Sequence, residues 1–295
     1  MSWLLLAFIG TVCMAVANII DKFLLEKRIK NPHVPVIMDG FLALIFSAGI
    51  ALFYPISSIS LFDLALCVVS GALFTFVLIF YFKAVQADDV SRIIPLFNLL
   101  PLVVLLLSIF VVGHVFSFNQ YAGILLLLIG AFVISIEDIR TPRMSPGIIF
   151  ALVVVLVGGF NTLLIERLLV TIDFVTVYFY GRIGGFLAAA LLFLAHRKDF
   201  MHAIVHPKKS GLNFIIISEA FALFGLLVYT QAYSVEKAAL VSAISYAQPV
   251  IVFLLVIFLS LYFPTTIREK ITHSNLIQKI MAIALVTLGA ILLGY

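Results

Sequence analysis

Three ionisable side chains, Glu219, Arg182 and Asp39, lie deep inside long apolar runs of the sequence. An ionisable group in an apolar interior is costly unless it is paired or faces water, so each of the three marks a candidate site. Glu219 lies about eight residues into its run, roughly 12 Å along a helix. Burial favours the uncharged form of a carboxyl group. We therefore expect Glu219 to bind and release a proton or to contact a cationic substrate group, with a static ion pair as the alternative.

Arg182 and Asp39 each have two interpretations. The planar guanidinium of Arg182 fits a substrate carboxylate or phosphate, but it can equally pair permanently with Glu219 on a neighbouring helix. Asp39 either reaches the membrane interface or pairs with Lys22. Lys22 follows Asp21 near the end of the first apolar run, and adjacent opposite charges near helix ends usually snorkel towards water.

Several uncharged polar residues also lie within apolar runs, where they can hydrogen-bond across helices or to a solute. They are Asn18, Asn161, Asn98, Tyr246, Gln248, Tyr81 and Tyr229. Some of them stand shortly before a proline, which kinks a helix and frees a backbone carbonyl. The helix breaks expected at Pro95, Pro101 and Pro249 can therefore line a cavity, with simple packing around tolerated kinks as the alternative.

No catalytic constellation is visible. The sequence has no phosphate loop, zinc motif or Gly-x-Ser-x-Gly turn. Cys13 and Cys67 lie in apolar segments, as core residues do, and His196, His202 and His206 are expected in a solvated loop. The net charge of +4 comes from basic residues in short loops. These residues do not form the continuous basic face that a nucleic-acid-binding protein has. We expect no enzyme activity, cofactor, metal site or nucleic-acid partner.

Long apolar helices must position these groups. Hydrophobic residues make up 64% of the chain and charged residues 11%, with a mean hydropathy of +1.26, whereas a soluble domain carries about 25% charge. Roughly 20 apolar residues suffice to cross the bilayer. The sequence predicts an all-α integral membrane protein with ten spans: Ser2–Leu24, Val34–Tyr54, Leu61–Gln86, Val90–Val112, Gln120–Ile136, Gly147–Leu169, Asp173–Ala195, Gly211–Ser234, Ala238–Tyr262 and Ser274–Gly294.

An internal repeat organises these spans. Tyr81–Phe110 aligns without a gap with Tyr229–Phe258, placing proline on proline and one acidic tight turn on another. The repeat predicts two five-helix units, residues 1–143 and 144–295. Because five is odd, the second unit begins on the opposite face of the membrane, so the two are inverted. This is the plan of secondary transporters, which hold the solute near the midplane where the halves meet.

The chain resembles a known superfamily in these features. Ten spans in two halves, the repeated tyrosine-to-proline segment and a basic residue ending the first span of each half, Lys22 and Arg167, are similar to the drug/metabolite transporter superfamily, and most of all to its EamA-type transporters. The resemblance covers the whole chain and implies export of amino acids, other metabolites or drugs. It also implies a functional cation at Lys22 and cytoplasmic termini.

Loop charges point to the opposite orientation. The odd-numbered loops carry nearly all the basic residues, whereas the even-numbered loops offer only Arg167 and Lys237. The positive-inside rule then places the odd loops in the cytoplasm and both termini outside. The loop charges and the family resemblance therefore predict opposite orientations of the chain in the membrane.

The function expected from the sequence is secondary transport of a small polar metabolite, such as an amino acid, across the cell membrane. Alternating access of the two halves, coupled to protons or to exchange, would drive it. Two alternatives remain: a transporter or flippase of lipid-linked or hydrophobic cargo, and a membrane-embedded lipid-modifying enzyme. The partners are the solute and the lipid bilayer, and the oligomeric state stays open.

Overall fold

The computed structural model describes residues 2–27, 31–87, 93, 96–97, 99–135, 146–206, 211–262 and 273–293, and all regular structure within them is helical. The α-helices, numbered here in chain order, are α1 (Trp3–Lys27), α2 (His33–Ala51), α3 (Leu61–Ala87), α4 (Leu100–Leu107), α5 (Phe118–Ser135), α6 (Pro146–Leu169), α7 (Phe174–Val205), α8 (Leu212–Tyr233), α9 (Ala238–Ile244), α10 (Gln248–Tyr262) and α11 (His273–Leu293).

The ten predicted spans match the helices of the described chain. Seven stretches are long and apolar enough to cross a membrane, one of them running from α9 into α10, and three shorter apolar helices lie in α4, α5 and α11. Helices are expected here because lipid offers no hydrogen-bond partner to the backbone, so each segment must satisfy its own amides. The prediction of an all-α, multi-span fold is confirmed.

The seventh span is longer than predicted. The sequence places its end at Ala195, but α7 continues to Val205 across a kink at His196, where φ is −118° and ψ is 23°. The histidine-rich segment expected as a loop is therefore largely helical, because loss of hydropathy marks the end of the membrane core and not the end of a helix. His196 stacks on His33 with ring centroids 4.1 Å apart, and Asn31 Nδ2 donates to the Asp199 carboxylate at 2.7 Å.

The fourth and ninth spans contain irregular turns. A 3₁₀ turn, Ser245–Ala247, separates α9 from α10, and Pro249 is the second residue of α10. In the fourth span, Pro101 lies in the first turn of α4. That helix runs on as a π-helix, Ser108–Val112, which ends at Gly113 with φ of +78°.

Helices from the two halves of the sequence pack against each other throughout the bundle. The closest pairs are α1 with α8, α2 with α7, α3 with α6 and α7, and α5 with α11. The largest core cluster surrounds the break in the ninth span and contains the fully buried side chains of Tyr246, Val104 and Leu127.

Glycines let α3 and α7 approach most closely. A Cβ at Gly71 would collide with the Gly181 carbonyl oxygen, and a Cβ at Gly184 would collide with the Val68 carbonyl oxygen. Thr75 bridges the same crossing, with Oγ1 lying 3.3 Å from the Gly71 oxygen and 3.2 Å from the Gly185 oxygen. In lipid, where close van der Waals contact and hydrogen bonds drive helix association, such a crossing fixes the position of α7.

The start of α7 is tied to the loop after α2. The Thr176 amide donates to the N-cap carboxylate of Asp173 at 2.9 Å, and the Ser57 hydroxyl donates to the same carboxylate at 2.9 Å. The Ser57 amide donates to Thr176 Oγ1 at 2.9 Å. Partial burial opposes the charge on Asp173, but these hydrogen bonds outweigh it and hold the pKa of this carboxyl group below its usual value.

The crossing of α3 and α7 predicts a sharp contrast between glycines. Gly71→Ala and Gly184→Ala should each destabilise the protein by about 1–3 kcal/mol, because the helices must move apart. Gly49→Ala is the matched control in α2, where a Cβ would meet nothing within 4 Å. Thermal unfolding in detergent should show lower Tm values for the first two and an unchanged or higher Tm for the control. Equal Tm values for all three would show that the crossing tolerates a wider separation.

Candidate functional site

Two buried carboxyl groups meet between α2 and α8. Asp39 and Glu219 are 3% and 7% exposed, and their side chains lie within hydrogen-bonding reach of each other. An ionised carboxylate can only accept a hydrogen bond, so a bond between two carboxyl groups requires one of them to carry a proton. Such a bond would leave one shared proton and one negative charge on the pair.

Arg182 of α7 supplies the opposite charge. Its side chain is 7% exposed and lies close enough to Asp39 and Glu219 for electrostatic attraction to both carboxyls. The guanidinium carbon lies 4.7 Å from the ring centroid of Phe74 and 5.2 Å from that of Tyr178. Its Nε has no hydrogen-bond partner among the described residues. One donor of the buried cation is thus available to a further ligand.

A third carboxylate flanks the pair. The Ser218 hydroxyl lies 2.6 Å from Asp21 Oδ1 and 3.1 Å from the Ala17 carbonyl oxygen, which joins α8 to α1. Asp21 also lies within electrostatic reach of Glu219 and of the Tyr81 hydroxyl. The side chain of Asp21 therefore makes an interhelix contact instead of snorkelling away as the sequence suggested.

The charged residues come from four helices. Asp21 lies on α1, Asp39 on α2, Arg182 on α7 and Glu219 on α8. Asp21, Ser218 and Phe74 were missed as members of this group. A serine directly before an intramembrane glutamate was the one sequence signal that pointed to Ser218.

The uncharged candidates occupy a second region. Tyr246 is fully buried in the 3₁₀ turn of the ninth span, and Gln248 follows it half-buried. Asn161 of α6 is 5% exposed and its Oδ1 has no partner among the described residues. Glu166, farther along α6, anchors the ninth span by accepting the Ala238 amide at 2.9 Å.

The remaining candidates are placed as follows. Asn18 lies half-buried on α1, one turn before Asp21. The Tyr229 hydroxyl is 2.7 Å from Thr11 Oγ1, and the Tyr229 ring fills the space that a side chain at Gly10 would need. Tyr229 is thus held as a packing residue between α8 and α1. Asn98, Pro95 and the side chain of Lys22 lie outside the described residues.

Comparison with known proteins finds a family model that matches the first part of the chain. Residues 1–136 match the model of the EamA-like transporter family. The first half of the chain is EamA-like. A solved protein crystal structure shares the fold with a TM-score of 0.71 at 17% sequence identity, over 98% of this chain and 95% of that one. No curated protein matches the chain.

The EamA-like match over residues 1–136 and the long apolar helices indicate a multi-pass integral membrane protein. The family resemblance found in the sequence is confirmed for residues 1–136. One cation and three carboxyls lie in the interior of the helical bundle, contributed by α1, α2, α7 and α8.

The electrostatic role of Arg182 in this helical bundle can be measured. Arg182→Met should destabilise the protein by about 3–5 kcal/mol, because the negative charge of the carboxyl pair loses its buried counter-charge. Adding Glu219→Gln should recover part of the loss. The control is Arg167→Met at the exposed end of α6, which should leave the Tm nearly unchanged. If the double variant is less stable than Arg182→Met alone, the charge balance described here is incorrect.

Proposed function

We propose that this protein is a secondary transporter that moves a small polar metabolite across the cell membrane by alternating access. The observation that carries the proposal is the buried carboxyl pair Asp39–Glu219 beside Arg182, in a helical bundle whose residues 1–136 match the EamA-like transporter family. Intramembrane ionisable groups are retained mainly where they serve transport, because each is costly to bury.

The pair is suited to proton coupling. With one proton shared between the two carboxyl groups, the pair would carry a single negative charge, and losing that proton would place two negative charges beside a single guanidinium in a poorly solvated interior. A cationic group arriving at the site would replace the lost proton electrostatically. Proton release and binding of a substrate ammonium group would therefore be linked, so an inward proton gradient can drive solute movement in the opposite direction.

The same site suits a zwitterion. The carboxyl pair attracts an ammonium group, while the free Nε of Arg182 offers a donor to a carboxylate. An amino acid carries both groups about one carbon apart. We therefore propose amino acids as the first substrates to examine.

Alternating access would use the two units 1–143 and 144–295. An in-plane pseudo-twofold axis relating the two units would map the helix pair α1–α8 onto the pair α6–α3. It would map each of the pairs α2–α7 and α5–α11 onto itself. All of these helix pairs are in contact, which supports the inverted repeat. Rocking of one unit against the other would then open the charged site to each face in turn.

Counterflow in proteoliposomes tests the transport activity directly. Vesicles containing the purified protein are preloaded with unlabelled amino acids. Entry of trace labelled amino acids is then followed without a proton gradient. Saturable entry that depends on the preload would support the proposal. Entry no faster than in protein-free vesicles, across amino acids and other water-soluble metabolites, would contradict it, and fluorescent lipid-linked cargo would then be assayed in the same vesicles.

Glu219→Gln tests the coupling. The amide keeps the shape of the side chain but cannot take part in a carboxyl proton exchange, so accumulation driven by a pH gradient should fall to the level seen without a gradient. Glu236→Gln makes the same chemical change in the loop after α8 and should transport as the wild type does. Size-exclusion profiles and Tm values establish that both variants are folded. Undiminished gradient-driven accumulation by Glu219→Gln would rule out Glu219 as the proton carrier.

A further inference from the structure

At one end of the bundle, two charged residues of the proposed second unit hold a short segment of the first, residues 114–116. The Lys237 ammonium donates to the Val115 carbonyl oxygen at 3.0 Å and lies 4.9 Å from the ring centroid of Phe116. His114 Nδ1 lies 3.9 Å from Glu166 Oε1. We call residues 114–116 together with Glu166 and Lys237 the clamp. It joins the loop after the fourth span to the loop after the eighth.

Ser108 fixes the held segment to the fourth span. The His114 amide donates to the Ser108 carbonyl oxygen at 3.0 Å, and His114 Nδ1 lies 2.9 Å from Ser108 Oγ. Ser108 is 0% exposed and begins the π-helix that ends the fourth span. A grip on residues 114–116 is therefore also a grip on the fourth span and not only on an exposed loop.

Glu166 fixes the place of Lys237. Its Oε1 accepts the amide of Ala238, the residue directly after Lys237, at 2.9 Å, so the end of α6 is bonded to the start of α9. The Lys237 amide donates to Glu236 Oε1 at 2.9 Å. Two carboxyl groups thus hold the turn between α8 and α9, and the Lys237 side chain is the part of this turn that reaches the first unit.

The bundle is tightly filled beside the clamp. Every residue of α9, from Ala238 to Ile244, is at most 3% exposed, and Phe116 belongs to the same core cluster. The Tyr233 hydroxyl of α8 lies 3.4 Å from Ser242 Oγ of α9. Among the described residues, packing of this kind closes this end of the bundle to a solute.

The clamp contacts themselves are weak enough to be reversible. The His114 side chain is 26% exposed, and Lys237 is also partly exposed. Water competes for charged groups at such positions, so each contact contributes little to the free energy of folding. The clamp can therefore open without unfolding the helices on either side of it.

We propose that the clamp is a gate, which holds the end of the bundle with loops 113–117 and 234–237 closed and releases residues 114–116 when that end opens. The inference rests on the proposed transport function and adds the contact that controls access to its site from one face. Rocking of the units would separate Val115 and Phe116 from Lys237. The bond from Glu166 to Ala238 lies wholly within the second unit and would stay intact.

Thiol labelling reports whether the gate is closed. Ser242→Cys places a thiol in α9 with a small change of shape, and its labelling by a water-soluble maleimide is followed in lipid nanodiscs by peptide mapping. Ala239→Cys, on the same buried helix, is the reporter if Ser242→Cys does not fold. Ser234→Cys, at an exposed position directly after α8, gives the rate of an open site. Labelling at the buried reporter should be much slower than at position 234.

Substitutions of Lys237 then test the gate. Lys237→Met removes the ammonium but keeps most of the stem, so labelling of the reporter should rise about two- to fivefold, the effect of losing one partly exposed cation contact. Lys237→Arg keeps a cation that can donate and stack on the Phe116 ring, and labelling should stay slow. Lys198→Met makes the same change at an exposed position near the far end of α7 and should have no effect.

Native Cys67 separates gate opening from a general loosening of the fold. It is 0% exposed on α3, and a Cβ at Gly181 of α7 would lie 3.8 Å from its carbonyl oxygen. Labelling of Cys67 should therefore stay as slow in Lys237→Met as in the parent. A rise at Cys67 equal to the rise at the reporter would show that the whole bundle has loosened, and would overturn the gate.

The remaining outcomes separate the two proposals. Labelling of the buried reporter as fast as at position 234, or an unchanged rate in Lys237→Met, overturns the gate and leaves the transport function standing, because counterflow is measured independently. Absence of counterflow for every solute in the panel overturns the transport function and with it the gating role.

Discussion

Burial of Arg182 together with two carboxyl groups is the constraint that most shapes this bundle. An unpaired charge in the apolar interior would be prohibitively costly, so α2, α7 and α8 must present their ionisable groups to one another. Asp39 and Glu219 lie within hydrogen-bonding reach of each other, and Arg182 lies within electrostatic reach of both. Phe74 and Tyr178 pack their rings against the guanidinium and keep it within the protein.

The placement of Arg182 depends in turn on close helix packing. Gly181, Gly184 and Gly185 lie within one turn of Arg182 on α7, and they bring α7 into backbone contact with α3. The contact holds one side of α7 against α3, while Arg182 approaches the acids of α2 and α8. At its other end, the Asp173 cap and Ser57 hold the first turn of α7. The charged site is therefore positioned by elements that carry no charge in the membrane interior.

The sequence predicted the spans well because hydropathy over roughly 20 residues reports directly on what lipid requires of the backbone. It also singled out Glu219, Arg182 and Asp39, since charges are rare in such runs. It could not tell that Asp39 meets Glu219, because that contact depends on the rotation of α2 about its axis. For the same reason it treated Asp21 as a surface charge, whereas its contact with Ser218 depends on how α1 crosses α8.

The proposed repeat leaves one difference between the halves that bears on function. Extending the alignment of Tyr81 with Tyr229 back by ten residues pairs Gly71 with Glu219. Gly71 forms the closest part of the α3–α7 crossing, and Glu219 faces Asp39 between α8 and α2. The pseudo-twofold axis would exchange the pair α3–α7 with the pair α8–α2. The first pair is joined by a backbone contact and the second by ionisable groups. A backbone contact cannot respond to a proton, but the carboxyl pair can. Motion that depends on protonation would therefore begin at α2 and α8, with the α3–α7 contact acting as the fixed support.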